Sequence, residues 1–169
     1  MARTEDDSAQ QRPLIRVLHG PNLNLLGSRE PEVYGTATLV EIEGLVHSRA
    51  ELVGLSCEFL QSNHEGDLIE AVQGAGREAH GIIINGGALT HYSLSLADAL
   101  ADVSIPSVEV HLSNIYAREE WRRTSVVSPV VTASLCGFGT MGYVFAVDAM
   151  AGFLAQQASD PVPGQGVMV

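Results

Sequence analysis

Short apolar runs alternate with longer stretches of helical spacing along most of this chain. The runs cover 14–18, 55–60, 81–84 and 107–110, with a weaker one near 130–135; the helical stretches cover 39–50, 66–78, 93–101 and 142–156. In the first helical stretch Leu39, Ile42, Leu45 and Val46 recur on one face. Ile82, Ile83 and Ile84 form a β-branched run with no polar face, which suits a strand covered on both sides. Five strands alternating with helices predict an α/β protein built on an open, doubly wound parallel sheet with helices on both faces. One catalytic-size domain is expected over 14–157, with a disordered N-terminal tail over 1–13 and a flexible C-terminal tail over 158–169. Open parallel sheets place their sites outside the carboxyl ends of the strands, so the residues after each run carry the functional reading.

Composition narrows the chemistry. With 46% hydrophobic and 17% charged residues the 169-residue chain is globular in character and long enough to bury a core. No apolar run is long enough to span a bilayer, and the first ten residues lack the basic-then-apolar pattern of a secretion signal. Cys57 and Cys136 form neither a metal-type spacing nor a paired framework, and are expected as buried free thiols in a cytoplasmic protein. Twenty acidic residues against nine basic ones give a formal net charge of −11, which repels nucleic acid and anionic membranes. All nine basic residues are arginines. Without lysine there is no Schiff-base amine and no P-loop phosphate contact, so a bound anion must rely on arginine or backbone N–H groups.

The loops hold the polar residues. His19 to Gly35 (HGPNLNLLGSREPEVYG) is long for a compact domain, which fits either a functional loop or a solvated connection. Asn22 and Asn24 follow the strand closely enough to face a site. Arg29 and Tyr34 are near enough to pair, and a neighbouring cation lowers an acid's pKa by roughly 1–3 units. Gln61 to Asp67 offers Ser62 or Asn63 as a helix cap, and the adjacent His64 and Glu65 make a poor metal pair. In Asn85 to Ser93 (NGGALTHYS), paired glycines permit close backbone approach and Thr90 or Ser93 caps the next helix; His91 reads equally as a capping, surface or ligand-contacting residue. In Val108 to Arg123 (VEVHLSNIYAREEWRR), strand alternation puts Val108 and Val110 on one side and Glu109 and His111 on the other. A carboxylate two residues from a histidine fixes its tautomer and supports its protonated form; the competing reading is a strand end reaching solvent. Ser113 and nearby N–H groups suit a carboxylate. Arg118, Arg122 and Arg123 fit either an anion site or a solvated face paired with Glu119 and Glu120.

Taken together, GPNLNLLG with REPEVYG, QSNHEG, NGGALTH, and EVHLSN with AREEWR resemble the type II 3-dehydroquinate dehydratases from about residue 14 to 154. The resemblance implies a flavodoxin-like fold and a cofactor-free hydro-lyase that eliminates water in trans from 3-dehydroquinate through an enolate, a step of the shikimate pathway of aromatic amino acid biosynthesis or of quinate catabolism. It implies Tyr34 as the base, Arg29 holding it ionised, Asn22 positioning a water at the enolate oxygen, and His111 as the acid with Glu109 behind it. Asn85, His91, Leu112, Ser113 and Arg122 match substrate-binding positions, and Asp98 matches a residue reaching a neighbouring subunit's site. It further implies a cytoplasmic dodecamer of four trimers, with no metal, nucleic acid or membrane partner. His19, Gly86, Leu89, Tyr116 and Trp121 depart from the family's usual residues. Two rival readings are a flavodoxin-like nucleotide- or flavin-binding module and an inactive family relative. The first lacks G-x-G-x-x-G after the first run; the second is disfavoured by an intact Tyr34, Arg29 and His111 set.

Overall fold

The computed structural model describes residues 12–28 and 36–159. Most of both expected tails therefore lies outside the described residues. Five strands form one sheet: β1 (Leu14–His19), β2 (Ser56–Gln61), β3 (Gly81–Asn85), β4 (Ser107–His111) and β5 (Ala133–Cys136). Four α-helices accompany them: α1 (Leu39–Leu52), α2 (Glu65–Glu78), α3 (Leu94–Asp102) and α4 (Met141–Ser159). All strand pairings are parallel, in the order β2-β1-β3-β4-β5. This is the expected doubly wound sheet, with its order reversing between β1 and β3.

The helices start where the side chains supply caps. Thr38 and Glu41 form a reciprocal capping box at α1: the Thr38 hydroxyl accepts the Glu41 N–H, and the Glu41 carboxylate accepts the Thr38 N–H at 2.7 Å. Ser93 caps α3 by accepting the Leu96 N–H at 3.0 Å. Ser62 is not the residue at the start of α2, but its hydroxyl accepts the His64 N–H at 3.0 Å there and donates to Asp67 at 2.6 Å.

Two apolar layers sandwich the sheet. Ile15, Val17, Ile83, Val108 and Val110 pack on α1 and α4, whereas Leu18, Ile82 and Ile84 pack on α2 and α3. Every residue of β3 is buried, as a β-branched run without a polar face requires. Burying each Ile side chain there contributes about 1.5–3 kcal/mol. The outermost strands β2 and β5 are covered less, and the cysteines they carry are half-buried rather than fully buried as expected; neither is bridged. The weak run near 130–135 becomes a strand only from Ala133, because Val130 still reaches solvent. Among the described residues no helix is long and apolar enough to cross a membrane.

Candidate active site

β1, β3 and β4 each run one residue beyond their apolar stretch, ending on His19, Asn85 and His111. The loops after β1 and β3 then press together. The Gly20 N–H donates to the Asn85 carbonyl at 2.8 Å. A Cβ at Gly20 would sit 2.5 Å from the Gly86 carbonyl oxygen, so only glycine permits this approach. Asn22 is the single described non-glycine residue with positive φ, at 68°, and its N–H donates to the Asn63 carboxamide at 2.8 Å. Asparagine tolerates that conformation better than most side chains.

A pocket opens at this edge of the sheet. Asn22, Asn85, His91, His111, Leu112, Ser113 and Arg122 all line it, together with the apolar residues Pro21, Leu23, Leu26 and Ile115. Seven of the expected site residues, drawn from three strand ends and the loops that follow them, thus share one cavity. Asp98 does not line it; it is exposed on α3. Arg29 and Tyr34 lie outside the described residues.

The pocket's titratable core is His111 with Glu109. The His111 Nε2 lies 3.0 Å from Glu109 Oε1, and the carboxylate is fully buried. Glu109 is surrounded by donors: Thr90 at 3.1 Å and Ser125 at 2.9 Å on Oε1, Ser134 at 2.8 Å and a close Ser128 hydroxyl on Oε2. Burial alone raises its carboxyl, but the His111 bond and charge and the Ser128 and Ser134 hydroxyls outweigh it and hold the pKa at about 2. Glu109 is therefore a fixed anion that engages one nitrogen of His111. The other nitrogen, Nδ1, has no hydrogen-bond partner among the described residues, so it is the one available to a ligand.

Neighbouring side chains shape the rest of the wall. His91 lies against His111 with ring centroids 6.2 Å apart, and its Nδ1 is 2.7 Å from the Thr124 carbonyl. Burial lowers the pKa of His91, with the Thr124 bond opposing, so this ring favours its neutral form. Trp121 meets His91 edge-on and carries the Arg122 guanidinium 4.1 Å above its own face. Glu119 holds both Arg122 and Arg118 at 3.2 Å, and Arg118 also donates to Ser113 at 3.4 Å. Arg123 turns back to the Arg118 carbonyl instead, and it does not line the pocket. His64 and Glu65 form no metal cluster, and the described residues contain no group of three or more His, Cys, Asp or Glu able to hold one.

The sequence reading missed the hydroxyl cage around Glu109. Local sequence marks Thr90 only as a candidate cap, and Ser125, Ser128 and Ser134 carry no local signal. Ser134 becomes predictable once β4 and β5 are paired, because it is the register partner of Glu109.

The fold and pocket define a class: an open α/β protein with an acid–base pair, amides and arginine gathered at the carboxyl edge where strand order reverses. Comparison with known proteins specifies the family within that class. The family model for dehydroquinase class II matches residues 13–151, and the chain belongs to that family. The 3-dehydroquinate dehydratase of Dinoroseobacter shibae is 56% identical over 136 residues, covering 80% of this chain and 91% of that protein. The Bacillus subtilis 3-dehydroquinate dehydratase is 49% identical over 148 residues, covering 88% and 98% respectively. Among solved structures, the type II dehydroquinase from Propionibacterium acnes superimposes with a TM-score of 0.81 at 39% identity, covering 84% of this chain and 98% of that one.

Proposed function

We propose that the pocket converts 3-dehydroquinate to 3-dehydroshikimate by trans elimination of water. The observation that carries this reading is the Glu109–His111 pair on the wall of a pocket that also gathers Asn22, Asn85, Ser113 and Arg122, in a chain of the dehydroquinase class II family. The assignment makes it a hydro-lyase of the shikimate pathway.

Tyr34, as phenolate beside Arg29, takes the proton from the carbon next to the ketone. The electron pair passes into an enolate, whose oxygen is stabilised by a water held by Asn22. The enolate then collapses, the carbon–oxygen bond to the departing hydroxyl breaks, and His111 delivers a proton to that oxygen. The departing hydroxide and the proton from His111 make the water, and the proton left on Tyr34 is given up as His111 is reprotonated, so the net loss from the substrate is one water. Glu109 is anionic and has its lone pairs occupied by hydroxyls, which suits a group that orients His111 and balances its charge without taking the proton itself.

Leu112 and Ser113 hold the substrate carboxylate, with Arg122, Asn85 and His91 on the ring hydroxyls. An overall charge of −11 repels this anion at long range, so close donors must supply the affinity. Asp98 lies away from its own chain's pocket on an exposed helix face, which fits a contribution to a neighbouring subunit's site in a dodecamer of four trimers. The setting is cytoplasmic, and no cofactor takes part. Mixing the protein with 3-dehydroquinate should raise the ultraviolet absorbance of the conjugated enone product, and borohydride should leave the rate unchanged because the chain has no lysine to trap. Absence of a rise from a folded sample contradicts the assignment.

A further inference from the structure

Between Arg122 and β5 the chain forms neither helix nor strand over 124–128, yet each residue of that segment is tied to the framework of the pocket. The Thr124 carbonyl meets His91 Nδ1 at 2.7 Å. The Val126 N–H donates to the Thr90 carbonyl at 2.9 Å, and the Val127 side chain is buried in the apolar layer beneath. Ser125 and Ser128 both donate their hydroxyls to Glu109. Ser125 also holds the turn itself, because its oxygen accepts the Val127 N–H at 3.1 Å and the Ser128 N–H at 2.8 Å. Both of its lone pairs are thereby taken, and its one proton has a single direction, to Glu109 Oε1 at 2.9 Å.

These ties give the two imidazoles of the pocket opposite polarity. A carbonyl can only accept, so His91 carries its proton on Nδ1. Burial favours the neutral ring; the charges acting on it are His111 and Arg122, which oppose protonation, and Glu109, which favours it. The Nε2 of His91, without a hydrogen-bond partner among the described residues, is then an acceptor in the pocket that His91 lines. Glu109 reverses the pattern at His111. Thr90, Ser125, Ser128 and Ser134 donate to its two oxygens, and His111 Nε2 lies 3.0 Å from one of them. A carboxylate has about four lone-pair sites, so this one has no room for a proton of its own. His111 Nε2 is therefore a donor, and Nδ1 is left as the nitrogen that delivers a proton.

We infer that Ser125 is a positioning residue that acts on both histidines at once, fixing His91 as a hydrogen-bond acceptor through the neighbouring Thr124 carbonyl and His111 as a proton donor through Glu109. The pair selects a ligand that offers an acceptor oxygen to one ring and a hydroxyl proton to the other. On the dehydratase reading, on which this step rests, these are the departing oxygen at His111 and a retained ring hydroxyl at His91. The two effects separate kinetically. A lost acceptor weakens bound substrate and transition state alike and appears in KM, whereas a misplaced acid appears in kcat.

The test is steady-state kinetics with 3-dehydroquinate, with thermal melts of each variant alongside. Ser125→Ala frees the turn and should raise KM about fivefold and lower kcat about tenfold. Ser125→Thr keeps the hydroxyl and should return both to within about twofold of wild type. Ser128→Ala removes a donor from Glu109 but keeps the N–H that Ser125 holds, so it should lower kcat about threefold and leave KM unchanged. If Ser125→Ala does not fold, Ser125→Cys, a weaker donor and acceptor in the same place, should show the same two changes at smaller size. Lowered melting temperatures with wild-type kcat and KM would assign the segment to stability alone and overturn the inference. A KM rise in Ser128→Ala equal to that in Ser125→Ala would overturn it too. Wild-type protein without turnover would instead defeat the dehydratase reading, and the inference with it.

Discussion

Replacing Glu109 with glutamine should change how stability depends on pH, and by an amount the geometry specifies. The carboxylate is fully buried and accepts from His111 and four hydroxyls; burial raises its pKa, but the His111 bond and charge with the Ser128 and Ser134 hydroxyls hold it at about 2 against an ordinary value of 4.5. Because the folded value is the lower one, the unfolded chain takes up the proton first as pH falls. The stabilisation is complete above the unfolded value and disappears as pH drops through the folded one. A depression from 4.5 to about 2 corresponds to on the order of 3 kcal/mol in full. About 2 kcal/mol of it is lost between pH 7 and pH 3. Glutamine cannot titrate, so the stability gap between wild type and Glu109→Gln should narrow by about 2 kcal/mol over that range. Other carboxylates cancel in the difference. Urea unfolding at fixed protein concentration and ionic strength, at pH 7, 5, 4 and 3, measures it. A gap independent of pH would refute the claim that Glu109 is a caged anion.

Three further outcomes follow from the same structure. His19 has its pKa lowered by burial to about 4, so its contribution to stability is intact above its ordinary value of 6.5 and is lost as pH falls toward 4; His19→Asn should flatten that segment of the stability profile, and an unchanged slope would contradict the neutral ring. Asp98→Ala should lower activity without disturbing the fold if Asp98 reaches a neighbouring subunit's site; kinetics of wild-type quality would argue against that placement. Arg122→Lys should raise KM about tenfold, because lysine loses the planar contact with Trp121 and the forked donor set, and an unchanged KM would remove Arg122 from the binding wall.

Local pattern carried much of this structure and failed where long-range pairing decides. The isoleucine run at 82–84 could only be a doubly covered strand, and it is. Parity along β4 correctly put Glu109 and His111 on one face, and the two meet at 3.0 Å. Parity also explains His19, which was expected in a loop. It is the last residue of β1, in step with Ile15 and Val17, and so it turns into the core beside Tyr143 rather than into the pocket. The hydroxyls around Glu109 were not legible, because Ser125 and Ser128 come from irregular chain and Ser134 from a weak edge strand whose register is set by β4. Nothing local marks Tyr143 as polar-bonded either; its hydroxyl meets the His19 ring at 3.0 Å, 124 positions away in sequence on β1.

The central claim is that this strand-end pocket dehydrates 3-dehydroquinate with Tyr34 as its base. The initial rate of enone formation by wild type and by Tyr34→Phe tests it most directly, with substrate or product binding measured on the same samples. Wild type should give a rapid rise and Tyr34→Phe none, with largely intact ligand binding by both. Substantial turnover by Tyr34→Phe would contradict it.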